Sequence, residues 1–183
     1  MKEQIQFSAD YSGRLPEIAE HFRAVFSASE GDSEGDLIAA LVQEMFASTA
    51  DPDLSAFTAL KDGSIAGCIL FTRLSYEQDS RTVFLLSPVA VRTQRQGQGI
   101  GQVLIRHGLT AMRQHGADVA VTYGDPSYYG KTGFRQITES QAAAPLPLSH
   151  PHGWQAQSLT GAELAPLRGP SCCVPALNNP VYW

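Results

Sequence analysis

Residues 94–101 have the sequence Gln94-Arg95-Gln96-Gly97-Gln98-Gly99-Ile100-Gly101 and lie between an apolar strand and an amphipathic helix. Three alternate glycines let successive backbone N–H groups approach a ligand with no Cβ in the way. The helix that starts here adds the positive end of its dipole. The run therefore predicts a cradle for an anion such as a pyrophosphate.

Three phosphate-binding patterns compete for this run, and spacing separates them. A dinucleotide fingerprint needs a third glycine at the position of Gln102, and a Walker loop needs Gly-Lys followed by Ser or Thr, which is absent. What fits is Gln94-x-x-Gly97-x-Gly99. This pattern resembles the signature of the GNAT superfamily of acyl-CoA-dependent N-acyltransferases: Gln or Arg, two residues, Gly, one residue, then Gly or Ala. A glycine-rich turn without a ligand is the alternative.

The resemblance implies an α/β (α+β) fold with a mixed, mostly antiparallel central sheet, helices on both faces and a splayed central strand pair. It also implies acetyl-CoA as cosubstrate and no metal. The residues that would bind the cofactor at the loop are Gln96, Gly97, Gln98, Gly99, Ile100, Gly101 and Gln102. The chain is most similar to a bacterial branch of predicted acetyltransferases with a Gly-Asp-Pro-x-Tyr-Tyr segment, here residues 124–129.

The strand before the loop, residues 85–91, contains Pro88 in an otherwise apolar run. Proline in a sheet is tolerated mainly at an edge or a bulge. In the family, the corresponding strand bulges and splays from its neighbour, which leaves backbone groups for the pantetheine arm and the thioester carbonyl. The resemblance assigns those positions to Val89, Ala90 and Val91, whereas the simpler alternative is a sheet edge at Pro88.

A third segment, residues 125–134, resembles the family's Tyr-x-x-x-Gly-Phe motif, with Tyr129 four residues before Gly133. In many members this tyrosine protonates the leaving thiolate, so the resemblance implies that Tyr129 is catalytic. The alternative is that Tyr128 and Tyr129 are both core or lid aromatics.

The general base is not identified by the sequence. Family members often carry a glutamate on the strand before the loop, but residues 82–91 contain no acid. Candidates are Glu34, Glu77 and Asp125, of which Glu34 and Asp125 are also predicted to bind substrate. Each has an ordinary explanation in a polar turn or as a helix cap. For every histidine, including His21, surface or capping duty is the prediction.

Elsewhere, hydrophobic periodicity predicts the secondary structure. Asp62-Gly63 is a strong hairpin signal. Predicted strands cover 4–8, 56–60, 65–74, 82–91, 119–123 and 154–159, and predicted helices cover 15–26, 36–48, 99–115 and a turn after Asp125, with a loop over 27–35.

We expect one N-acetyltransferase domain over residues 1–183. Its core covers about residues 4–138, and residues 139–183 form a proline-rich C-terminal extension packed on that core. Apolar side chains favour packing of this extension over a free linker: Trp154, Leu159, Leu164, Leu167 and Trp183.

Composition narrows the function. The net charge is −5 with no run of Lys and Arg, which argues against nucleic-acid or membrane-surface partners. No signal peptide or spanning segment is recognised, so we expect a cytoplasmic protein. Cys68, Cys172 and Cys173 lack the spacing of a zinc site.

The predicted function is transfer of an acetyl group from acetyl-CoA to a primary amine of a small molecule or protein by direct attack. The partner is this amine acceptor, and a homodimer is among the assemblies allowed. Two alternatives stay open: a catalytically weak acyl-CoA-binding regulatory module, and an acyltransferase that uses a longer acyl donor.

Overall fold

A computed structural model describes residues 4–183, which form nine strands and four α-helices. In chain order these are β1 (Gln6–Ser8), α1 (Leu15–Glu30), α2 (Asp32–Ser48), β2 (Leu54–Lys61), β3 (Ser64–Arg73), β4 (Ser75–Tyr76), β5 (Val83–Val91), α3 (Ile100–Gln114), β6 (Val119–Tyr123), α4 (Pro126–Tyr129), β7 (Arg135–Gln136), β8 (Trp154–Ser158) and β9 (Ser171–Cys172).

The chain divides into two compact units. The first contains the described residues up to Leu70 and Pro88–Gly108, and the second contains Phe71–Ser87 and Leu109–Trp183. Three elements, β3, β5 and α3, contribute residues to both units.

The two long helices of the first unit differ from the prediction. The loop expected over residues 27–35 is wrong, because α1 continues to Glu30 and only Gly31, with φ 100°, separates it from α2. Gly35 is buried, and a Cβ there would lie 2.6 Å from the Arg23 carbonyl oxygen. Glycine at position 35 thus permits close packing of α1 against α2. Acidic residues in the first turn of α2 stabilise the helix by interacting with the positive end of its dipole.

In the first unit, the strand order is β1-β2-β3-β5. The turn between β2 and β3 has φ 52° at Asp62 and 76° at Gly63, the left-handed values that a type I′ hairpin needs. The predicted hairpin is confirmed. Because the Arg92 N–H donates to the Ala66 carbonyl at 2.8 Å while the Leu74 N–H donates to Val83, β3 and β5 are antiparallel.

In the second unit, the order is β3-β5-β6-β8-β7, and β4 pairs separately with β9. Strands β5 and β6 are parallel, as the predicted strand, glycine loop, helix and strand require. Their register ends at Leu86 and Thr122, although β5 continues to Val91. Because β6 itself ends at Tyr123, the pairing stops where β6 stops, and the splay of this strand pair stays a prediction.

The proline-rich tail contributes to the second unit. Trp154, Leu159, Leu167 and Trp183 are buried, and Leu164 is half-buried. The Arg81 guanidinium donates to the carbonyl oxygens of Ala165 and Pro166 at 2.8 and 2.7 Å. The short strands β4, β7 and β9 were not predicted, because two-residue pairs leave no periodic signal.

The expected α/β fold with a mixed, mostly antiparallel sheet is confirmed, and β5–β6 is its parallel pair. Across residues 4–183, no helix is both long and apolar enough to cross a membrane. The same residues contain no group of three or more His, Cys, Asp or Glu placed to hold a metal ion.

Candidate functional site

The glycine loop has an open backbone. Gly97 and Gly99 have φ values of 75° and 77°, in the region that favours glycine. A Cβ built on either residue would meet no atom within 4 Å. These glycines are therefore required by the backbone conformation rather than by packing, and they leave space for a ligand.

The start of α3 presents the backbone donors. The Val103 N–H donates to the Gly99 carbonyl at 3.1 Å, so the first helical turn begins there. The N–H groups of Ile100, Gly101 and Gln102 have no acceptor within the helix, because the carbonyls four residues before them lie outside it. The Ile100 side chain is 3% exposed, and its burial anchors the start of the helix.

Gln96 is engaged within the loop itself. Its side-chain amide donates to the Val91 carbonyl at 3.1 Å, and its backbone N–H donates to Thr93 at 3.3 Å. Gln96 and Gln98 are both exposed. The structure thus places Gln96 where it braces the loop against the end of β5.

The end of β5 is fixed by side chains as well. Ala90 is buried, while Val89 and Val91 are half-buried. The Ala90 carbonyl accepts a hydrogen bond from His21 Nε2 at 3.1 Å, and the Val91 carbonyl accepts the one from Gln96. These contacts hold the backbone of the segment to which the resemblance assigns the pantetheine arm.

His21 was not recognised from the sequence, and the prediction of surface or capping duty is wrong for it. The residue is 8% exposed. A carbonyl only accepts, so Nε2 carries the hydrogen. Burial lowers the pKa of His21, the bond to Ala90 opposes this, and Arg92 lowers it further. The signal was its helical spacing from Ile18 and Val25, which places it on the apolar face.

The segment around the loop is basic, although the net charge of the whole chain is negative. Residues 82–117 contain four arginines and no Asp or Glu, although the protein as a whole is acidic. Arg92 is exposed and Arg95 is half-buried, directly before the glycines. A basic segment at a helix start suits an anionic ligand.

In the second unit, Tyr129 lies at the end of α4, and Asp125 caps this helix. The Asp125 Oδ1 accepts the Ser127 N–H at 2.9 Å, and the Tyr129 N–H donates to the Asp125 carbonyl at 3.1 Å. The capping interpretation of Asp125 is confirmed. Its predicted role in substrate binding stays a prediction.

The Tyr129 ring is held by close neighbours. A Cβ on Gly124 would lie 2.8 Å from Tyr129 Cε2, and the rings of Tyr128 and Phe134 meet it edge-on at 5.1 and 5.9 Å. Burial raises the pKa of Tyr129, with Tyr128 and Asp125 adding to the effect and a hydrogen bond with Thr122 opposing it. The phenol therefore keeps its proton at neutral pH.

The remaining carboxylate candidates belong to different units. Glu34 is half-buried in the first turn of α2 in the first unit, and Glu77 is exposed in the second. The segment Val89–Val91 and the loop lie in the first unit, whereas Tyr129 and Asp125 lie in the second.

Comparison with known proteins identifies the family. Residues 15–134 match the model of the Acetyltransferase (GNAT) family. The chain belongs to this family. It is 35% identical over 136 residues to the uncharacterized N-acetyltransferase YjhQ of Escherichia coli, covering 72% of this chain and 73% of that protein. The expected GNAT-type N-acetyltransferase is thereby confirmed.

Solved structures support the fold of this GNAT chain. YhbS of Escherichia coli in complex with CoA has a TM-score of 0.78 at 24% identity, covering 96% of this chain and 92% of that one. A GNAT family acetyltransferase from Brucella melitensis in complex with acetyl-CoA has a TM-score of 0.73 at 25% identity, covering 96% and 99%.

Proposed function

We propose that this GNAT protein transfers an acetyl group from acetyl-CoA to a primary amine of a small molecule or protein by direct attack. The observation that carries the proposal is the glycine loop. Left-handed Gly97 and Gly99 open the backbone, the first turn of α3 points N–H groups at the opening, and no acid lies nearby in sequence.

The donor is inferred from this loop and from the likeness to proteins that bind CoA and acetyl-CoA. Backbone N–H groups of residues 97–102 would hold the pyrophosphate, and the backbone of Val89–Val91 would hold the pantetheine arm. Gln96 would act by bracing the loop. Use of acetyl-CoA is consistent with a cytoplasmic enzyme. We also propose that residues 1–183 form a single domain. A homodimer stays a prediction.

The reaction needs two proton movements. The amine nitrogen attacks the thioester carbonyl, the C–N bond forms, and the C–S bond breaks with its electron pair on sulfur. The thiolate takes the proton of the Tyr129 phenol, and the phenolate regains a proton from solvent, which balances the proton that the amine loses. Since burial raises the pKa of Tyr129, the phenol carries its proton at neutral pH.

The amine must lose a proton as well. With no acid on β5, this proton leaves through water or through one of the carboxylates Glu34, Glu77 or Asp125. Glu34 and Asp125 would also attract the cationic form of the acceptor. Each is a carboxylate, and each keeps part of its surface in contact with solvent, where an amine can reach it.

The test is release of CoA thiol from acetyl-CoA with and without a panel of primary amines, with the acetylated amine identified by mass spectrometry. Amine-dependent release and an N-acetyl product are expected. Acetyl-CoA binding without amine-dependent release would make the chain a regulatory module instead. A higher kcat/KM with butyryl-CoA or octanoyl-CoA would show that a longer acyl group is the donor.

A further inference from the structure

A cavity of about 520 Å³ lies within the second unit. Three segments line it: the end of β6 with the start of α4, the residues before β8, and the last residues of the chain. This volume is in the range of about 300–1,000 Å³ that small-molecule sites occupy.

A chain of hydrogen bonds orders one wall of the cavity. The His150 N–H donates to the Tyr123 hydroxyl at 2.7 Å, this hydroxyl lies 3.2 Å from Ser149 Oγ, and Ser149 Oγ lies 3.0 Å from His150 Nδ1. The His152 ring meets the His150 ring edge-on at 5.8 Å. The wall is therefore a fixed polar surface rather than a loose loop.

The charge and aromatic content of the lining favour a cation. Among the described residues that line the cavity, Asp125 is a carboxylate and none is Lys or Arg. Hydrogen bonds from Ser127 hold the pKa of Asp125 below its usual value, so it is ionised at neutral pH. A carboxylate has about four lone-pair sites, so Asp125 can cap α4 and still accept from an ammonium.

Another part of the lining is apolar and aromatic, and the ring of Tyr123 belongs to it. Tyr123 stacks on Trp183 with ring centroids 6.3 Å apart, and Val181 is 56% exposed at the cavity. Aromatic faces attract ammonium groups, and an exposed aliphatic side chain gains by covering an apolar part of a ligand.

Gly124 connects this cavity with the proposed proton donor. Its backbone lines the cavity, and the Tyr129 ring lies against its Cα on the side where a Cβ would point. Gly124 thus contacts both the cavity and the Tyr129 ring.

We propose that this cavity is the acceptor site and that it binds a small monoamine with an aromatic or branched apolar group. The ammonium would lie at the polar wall of Asp125, Ser149 and His150, and the apolar group would lie against Tyr123 and Val181. This inference rests on the proposed function, because it names the acceptor of the same reaction.

The experiment uses phenethylamine as the probe and introduces a positive charge at Val181, the exposed apolar residue of the cavity. Val181→Arg should raise the KM for phenethylamine about tenfold and weaken its calorimetric binding to the CoA-loaded protein, since a like charge repels the ammonium. Its KM for acetyl-CoA should stay unchanged. Leu15→Arg, at an exposed apolar residue of the first unit, is the matched control and should alter neither value.

The outcomes test the acceptor site and its substrate class separately from the proposed acetyltransferase function. Transfer to amines with an unchanged phenethylamine KM in Val181→Arg would overturn the acceptor site and leave the function intact. Higher kcat/KM for spermidine, kanamycin or a lysine peptide would overturn the substrate class. No binding of phenethylamine to the CoA-loaded protein would also overturn it, whatever the transfer assay shows.

Discussion

The glycine loop and the cavity are built in opposite ways. The loop is one run of eight residues, 94–101, and the donor contacts proposed for it are made by backbone N–H groups. The cavity is assembled from side chains around residues 123–126, 149–153 and 181–183. A site made by local backbone conformation is visible in the sequence, whereas a site made by distant side chains becomes visible only after folding.

The glycines of the loop and those of the cavity also differ in what surrounds them. A Cβ on Gly97 or Gly99 would meet nothing within 4 Å, so these residues leave room for a ligand. A Cβ on Gly124 would lie 2.8 Å from the Tyr129 ring, and one on Gly153 would lie 2.9 Å from the Gly124 carbonyl. Glycine in the second region serves packing, whereas in the first it leaves the open space that the proposed binding of the donor requires.

The largest expected effect separates chemistry from binding. Tyr129→Phe should lower kcat by about 10²- to 10⁴-fold, the usual contribution of general acid catalysis, and should leave acetyl-CoA affinity unchanged. Because the pKa of Tyr129 is raised, the wild type should show no alkaline limb from this phenol below about pH 10.

The matched control is Tyr128→Phe, which removes the neighbouring hydroxyl and should keep kcat. If Tyr129→Phe reacts at the wild-type rate while chemistry limits turnover, Tyr129 is a packing residue and water protonates the thiolate.

The next effect tests whether Gly124 serves packing. Gly124→Ala should displace the Tyr129 ring and lower kcat by about 10- to 100-fold, because small misplacements of a catalytic group cost this much. Acetyl-CoA affinity should persist. Gly130→Ala is the control, since a Cβ there meets nothing within 4 Å. Equal kcat in the two variants would contradict the packing role.

The smallest effect concerns the support of the loop strand. Burial lowers the pKa of His21 in the folded state, so below about pH 6.5 the unfolded chain binds a proton that the folded chain does not. The free energy of unfolding should therefore fall as the pH drops from 7 to 5. His21→Gln should show a shallower fall in urea titrations, and an identical slope would show that folding does not lower the pKa of His21.

The sequence predicted the features that local backbone chemistry dictates. Asp62-Gly63 gave the hairpin, the alternate glycines gave the start of α3, and Asp125-Pro126 gave the capped turn of α4. Their positions follow from φ preferences and capping that a few adjacent residues determine.

The sequence-based predictions that were wrong or missing concern features that depend on contacts between distant residues. Residues 27–35 were assigned to a loop from their composition, but packing of α1 against α2 through Gly35 makes them helical apart from Gly31. His21 looked like a surface residue, although its bond to Ala90 joins positions 69 residues apart. The cavity joins three separate segments, so no single stretch of sequence could show it.

Calorimetric titration of acetyl-CoA into Gly99→Trp tests the central claim, that the glycine loop holds the donor, most directly. Gly161→Trp is the control, because Gly161 also has a left-handed φ, 82°, and open space at its Cβ. Loss of backbone contacts to a charged pyrophosphate predicts an affinity about 10- to 100-fold lower for Gly99→Trp and unchanged for Gly161→Trp. Wild-type affinity in a folded Gly99→Trp, as judged by circular dichroism, would contradict the claim.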